Sequence, residues 1–342
     1  MPQPEAAAPP ERAADHTLVV PDLADSTAQA PHAAMPGLAA AWFSDAAWLR
    51  EPSGPPAPRP RGARFRGATP DVDPDPEPGV LRLGERHTLT GPFPVDADRA
   101  AALGARAAQH GFRAWTIAPV DPVRAERTQR PATYDDRDGL SRAFAAGLPE
   151  GEELRVVRWA VAVARKLGGA VLVDGRTPLA PDPGAAVDLS LYSAHALDPA
   201  DLLGQVRGLV ATAEPEERAT SADGSLSYAI RARTSYDGDL RVRVAHVDRV
   251  PRALGVLEWR AYGPFAYHLS WIPQDPDELR TEHPSGLHLI ARGRMSTIVA
   301  RLATALQARI AGVLVDDGGF VATGAELAAR VEGRHHQARA WV

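Results

Sequence analysis

The stretch VVRWAVAVARKLGGAVLVDG, residues 156–175, reads as an amphipathic helix, a small-residue stop, a four-residue apolar strand and an Asp. The same grammar returns in IVARLATALQARIAGVLVDDG, residues 298–318. In the second copy Met295, Ile298, Val299, Leu302, Leu306 and Ile310 form one apolar stripe, while Arg301, Thr304 and Gln307 face away. Upstream, HTLTGPFPVDADRAAAL (87–103) resembles LSLYSAHALDPADLLGQ (189–205). Each is a short alternating strand, a loop, an Asp where a helix N-cap belongs, and a helix. Asp96 and Asp198 are the caps, since a carboxylate there accepts free backbone N–H groups. Pro199 fits the first helical position. Two such matches predict an internal duplication: tandem α+β sandwich-like units at 79–185 and 186–342, the second enlarged by antiparallel strands.

Proline marks what lies before. Sixteen of the 32 Pro fall in residues 1–78, and no period of 2 or 3.6 runs through 52–78. That segment reads as a mostly disordered leader, because its few large apolar residues cannot repay the entropy of ordering. The leader carries 6 Arg and 11 Asp+Glu, so the chain's whole net charge of −5 sits in it. One island, GLAAAWFSDAAWL (37–49), brings Trp42, Phe43 and Trp48 together near helical spacing. It reads either as a segment that docks on a protein partner or as one that folds back onto its own domain.

Composition excludes several classes. With no Cys among 342 residues there are no disulfides, thiolate metal sites or cysteine nucleophiles. A net −5 argues against nucleic acid as the main partner. The start of the chain is neither basic nor apolar, and no apolar run reaches the roughly 18 residues a membrane span needs. A cytoplasmic protein with no membrane partner is the expectation. Of the 38 basic residues only Lys166 is a lysine. No nucleophile elbow, zincin motif, dinucleotide fingerprint or P-loop is present, and no cofactor is expected. Neither 71–82 nor 134–145 completes a calcium loop, and His283 and His288, flanking a Pro-Ser-Gly turn, make a weak metal pair; no metal site is expected.

The second unit holds the most informative pattern. SYAIRART (227–234) and LRVRVAHV (240–247) alternate apolar and polar residues on either side of a turn. A three-residue loop with Gly238 in the left-handed position sets Arg241 opposite Arg233 and Arg243 opposite Arg231. Further strands over 257–262 and 265–271 add Glu258, Arg260 and His268 to the same polar face. Like charges directly opposite destabilise a sheet, so a face of Arg231, Arg233, Arg241 and Arg243 asks for compensation. The leading functional expectation is a non-enzymatic binding or regulatory protein that engages an anionic small molecule or an acidic partner on this face. Two alternatives stand beside it. One is a hydrolase-like enzyme using Asp174 and Asp316, which end equivalent strands, in a groove between the units. The other is a scaffold recruiting a partner through Trp42 and Trp48.

Overall fold

The computed structural model describes residues 15–22, 34–53, 77–108, 111–121, 127–128, 135–216, 227–255 and 257–333. In its first half the chain runs β1 (His16–Pro21), α1 (Met35–Ala40), β2 (Trp48–Arg50), β3 (Gly79–Leu83), β4 (His87–Val95), α2 (Ala97–Ala102) and β5 (Phe112–Pro119). It continues through β6 (Arg127–Thr128), α3 (Leu140–Ala143), β7 (Leu148–Pro149), α4 (Gly151–Leu167), β8 (Ala170–Val173) and β9 (Thr177–Leu179). The second half runs β10 (Leu189–Ser193), α5 (Pro199–Arg207), β11 (Ala213–Pro215), β12 (Ser227–Arg233) and β13 (Asp239–His246). It ends with β14 (Phe265–Ile272), α6 (Gly286–Ile310), β15 (Val313–Asp316) and α7 (Gly324–Val331).

The architecture is mixed α+β, built on two antiparallel sheets. The seven-stranded sheet has the order β2-β3-β4-β5-β1-β8-β9, and the six-stranded one β11-β12-β13-β14-β10-β15. In each, the strand that comes first in the chain lies between the end of a four-strand meander and the strand that follows a long helix. A bridge from Val315 to Val321 continues the second sheet where β9 continues the first. The glycine after each long helix marks the same place. A Cβ on Gly169 would lie 2.2 Å from the Val19 carbonyl oxygen, and one on Gly312 would lie 2.2 Å from that of Tyr192.

This arrangement revises the reading of residues 1–78. Among the described residues of that segment, β1 is the strand between β5 and β8, α1 covers the sheet, and β2 pairs at its edge. Leu18, Val19 and Val20 are buried. β1 is short and its strand partners, Phe112–Ile117 and Ala170–Leu172, are far away in the chain, so no local period announces it. The upstream match also shifts. β10 stands where β1 stands, not where β4 does, so 87–103 and 189–205 resemble each other only locally. Their caps form as expected: Asp96 accepts from Arg99 N–H at 2.7 Å and Asp198 from Ala200 N–H at 2.9 Å.

Each sheet packs one face on its long helix. Leu18, Val20, Trp115, Ile117 and Val171 meet Val156, Trp159, Ala160 and Val163 of α4. Leu189, Leu191, Ile230, Val242, Leu269 and Leu314 meet Val299, Leu302 and Leu306 of α6. Burying side chains of this size contributes about 1.5–3 kcal/mol each. Acids in the first turn of α4, Arg165 and Lys166 in its last, and Gly168 at φ +72° past its end suit the helix dipole and stop the helix. The Trp-containing island folds inward. Phe43 is buried edge-on against Trp159, Trp159 Nε1 donates to the Leu38 carbonyl at 2.9 Å, and Trp48 lies tilted on Trp115. Phe43 is thus part of the protein's own core, and Trp42 and Trp48 pack half-buried against it.

The halves are joined by charge and by aromatic side chains. Phe320 of the second half is buried in the first core, and Trp42 Nε1 donates to the Gly318 carbonyl at 2.8 Å. Lys166, only 7% exposed, bonds Asp316 at 3.0 Å and Glu326 at 2.7 Å. Arg137 and Arg165 both reach Asp317, at 3.0 and 3.5 Å. Among the described residues no helix is long and apolar enough to cross a membrane.

Candidate anion-binding site

The hairpin β12–β13 keeps its expected faces but not its expected register. Arg231 lies opposite Arg241, Ala229 opposite Arg243 and Arg233 opposite Asp239. The connection is longer than three residues, spanning 234–238, and pairing slips by two, which preserves every side chain's face. Gly238 takes the left-handed conformation, at φ +84°. Thr234 explains the wider turn: its hydroxyl accepts from Asp237 N–H at 3.0 Å and donates to the Gly238 carbonyl. The expected strand over 257–262 is instead a single turn, Trp259–Ala261, which carries Arg260 outside the sheet.

Compensation for the arginines comes from nearby carboxylates. Arg231 Nε donates to Asp239 at 2.6 Å, Arg241 Nε to Glu216 at 2.9 Å, and Arg233 lies 3.3 Å from Glu214. These guanidinium groups are 37%, 45% and 66% exposed. Arg243 differs: it is exposed, and its side chain makes none of the hydrogen bonds or ion pairs found among the described residues. Its cross-strand neighbour is His268, whose own neighbour on the far side is Ser190. Ser190 Oγ and His268 Nδ1 are 2.9 Å apart, and the Tyr192 ring meets the imidazole edge-on at 6.4 Å. Burial, and then the Arg243 charge, hold His268 below its ordinary 6.5. The ring is therefore neutral near pH 7. When the Ser190 hydroxyl donates to Nδ1, the ring proton sits on Nε2 and is a free donor.

The first sheet supplies a control for this row. Two residues before Tyr192 stands Ser190, and two before Val19 stands Thr17. Thr17 pairs with Thr116, and Thr116 with Thr90. Where the second sheet carries Arg243–His268–Ser190, the first carries Thr90–Thr116–Thr17, residues that fit a pleated surface without further chemistry. The next row is alike in both. Asp188 and Asp317, one step beyond the last registered pair of β10 and β15, match Asp15 and Asp174. Asp188 accepts from Trp271 N–H at 2.9 Å; burial pushes it up to about 6, with Asp317 adding to the rise.

Other candidates resolve into structural contacts. Asp174 N–H donates to His16 Nδ1 at 3.1 Å, and Glu153 lies 4.0 Å from Nε2. The donor atoms of His16, Glu153 and Asp174 lie within 4.8 Å of one another. However, the Nδ1 lone pair is already used, so a neutral ring carries its proton on Nε2 and offers a metal nothing. Asp316 sits in a separate cluster, holding Lys166 and the Phe320 N–H, so nothing found among the described residues draws Asp174 and Asp316 into one acid–base pair. A cavity of about 170 Å³ is lined by Arg137, Asp182, Glu278, Glu282, His283 and His288, among others. Its charges serve one another: Asp182 binds Arg106 and Arg292, Glu282 binds Arg142, and Glu278 holds Ser285. The His288 ring lies tilted against Trp271, with ring centroids 4.8 Å apart.

Ser190 and Asp188 escaped sequence reading because their partners in space, His268 and Asp317, are distant in the chain. Strand geometry sets residues 188, 190 and 192 on one face, but only the pairing of β10 with β14 and β15 says beside what. No protein-family model, curated protein or solved structure matches this chain.

Proposed function

We propose that this chain is a non-enzymatic binding or regulatory module that engages an anionic ligand, or an acidic segment of a partner, on the outer face of its second sheet. The site centres on Arg243 and His268, with Arg231, Arg233 and Arg241 around them. One observation carries the reading: at matched places in two sheets of the same strand order, three threonines in one are Arg, His and Ser in the other. The surrounding ion pairs do not block such a role, since exposed pairs are worth about 0–1 kcal/mol and yield to a better anion. Thermal unfolding with a panel of phosphate, citrate and polyphosphate tests it. The melting temperature rises with anion concentration in the wild type, and the rise is lost in the Arg231→Ala, Arg243→Ala double variant. A panel that moves neither protein overturns the proposal.

A further inference from the structure

Resting on that reading, we infer that the ligand group is a tetrahedral dianion of the phosphate-monoester type, bound with uptake of one proton by His268. The argument begins with what the row holds. Arg243 supplies a fixed positive charge and a planar fork of donors. Beside it, on the neighbouring strand, stands an imidazole whose Nδ1 lies 2.9 Å from the Ser190 hydroxyl, so that Nε2 is the nitrogen left for a ligand. A carboxylate brings one negative charge, which Arg243 alone neutralises. Protonating His268 next to that guanidinium would then be unfavourable, so a carboxylate gains no more than a neutral N–H donor from the ring. A phosphate monoester carries about −1.5 to −2 near pH 7 and spreads it over three strong acceptor oxygens. One oxygen pair suits the guanidinium fork and the third suits Nε2, and the second negative charge offsets the second positive one. Arg243 and imidazolium against a dianion is a neutral assembly; Arg243 and imidazole against a carboxylate is neutral as well. The number of charges on the ligand thus decides whether the proton is taken up.

The groups that face His268 favour this outcome. From β13 comes Arg243, with Arg241 one row further on and tied to Glu216. From β10 come the Ser190 hydroxyl and the Tyr192 ring, with Asp188 one row further on and held by the Trp271 N–H. No carboxylate lies in the row itself. The proton that a bound dianion calls for therefore comes from solvent.

Calorimetry of the full chain with phenyl phosphate, sulfate and benzoate, in two buffers of different ionisation enthalpy, is the test. Sulfate is a dianion that does not titrate between pH 5 and 8, so a proton taken up with it must go to the protein. The expected result is close to one proton taken up per sulfate at pH 7.5, a gain of roughly 30-fold or more in sulfate affinity from pH 8 to pH 6, and flat, weaker benzoate binding. In His268→Gln the uptake vanishes while sulfate still binds, more weakly. The imidazole resonances of His268 in NMR report the same shift directly and remain readable if a variant folds poorly. If benzoate binds as tightly as phenyl phosphate and no proton is taken up, the dianion inference fails while the anion site survives. If none of the three binds, both readings fail.

Discussion

The two sheets share an order of strands and differ in what lies on their outer faces. Over the first sheet, Val19, Phe112, Ala114 and Ala170 pack against Ala100 and Ala105, so α2 and its loop close that face. Over the second, Tyr192, Ala266 and Val315 pack against Leu254, with Val250, Tyr262 and Val321 half-buried around them. The strands beyond, β12 and β13, keep their polar face toward water and line it with arginine. The inner faces, by contrast, are apolar in both halves and meet a long helix in both. Packing thus constrains the inner face of each sheet, whereas the outer face changes chemistry at no cost to the core. Function is to be sought where matched positions differ.

The strongest test of the match is at the glycines. Gly169→Ala and Gly312→Ala each drive a methyl into a backbone carbonyl at the same place in the two sheets, and backbone cannot swing away as a side chain does. Each is expected to cost about 3 kcal/mol, at the upper end of ordinary point mutations. Gly312 also sits at φ +116°, whereas Gly169 does not require a left-handed conformation. Its alanine variant should lose roughly 1 kcal/mol more, the scale of strain for an L residue at positive φ. Urea unfolding of both variants measures this. A neutral Gly169→Ala would mean that β1 and β8 do not approach as β10 and β15 do.

Asp188 makes the second sheet sensitive to pH. Asp188 is raised to about 6 in the folded protein, against roughly 3.9 in an unfolded chain. Between those values the native state binds more protons than the unfolded one, so stability falls as pH rises from 4 to 6. Two units correspond to about 3 kcal/mol, and partial exposure of Asp188 reduces this to about 2 kcal/mol. Asp188→Asn removes that fall. Chemical denaturation at a series of pH values reads it out, and an unchanged slope in the variant would place the titration elsewhere.

Much of the second half was legible in its sequence, and the reasons are local. Alternation over 227–234 and 240–247 gave the faces of β12 and β13, because side chains in a strand change sides at every residue. Register was out of reach, since it depended on the Thr234 hydroxyl choosing a wider turn. The first half was read less well. Its opening strand, HTLVVP, is six residues long and is separated from its partners Phe112–Pro119 and Ala170–Val173 by proline-rich sequence. Residues 1–14, 23–33 and 54–76 of the expected leader lie outside the described residues. The Ser190–His268 contact is legible only after strand order is known, because 78 residues separate the pair.

The smallest effect bears on whether the threonine row is merely structural. Thr116 is 7% exposed, and its hydroxyl oxygen has no hydrogen-bond partner in the described structure. A buried hydroxyl left unpaired costs about 1–3 kcal/mol of desolvation, whereas a methyl of the same shape costs nothing. Thr116→Val keeps the β-branched outline and exchanges the one for the other. The expected gain is about 1 kcal/mol, read as a higher denaturation midpoint with an unchanged slope. A loss of that size instead would mean that the Thr116 hydroxyl is engaged in solution. The first sheet would then carry a polar function at the place where the second carries His268, and the threonine row would no longer serve as the blank against which Arg243 and His268 stand out.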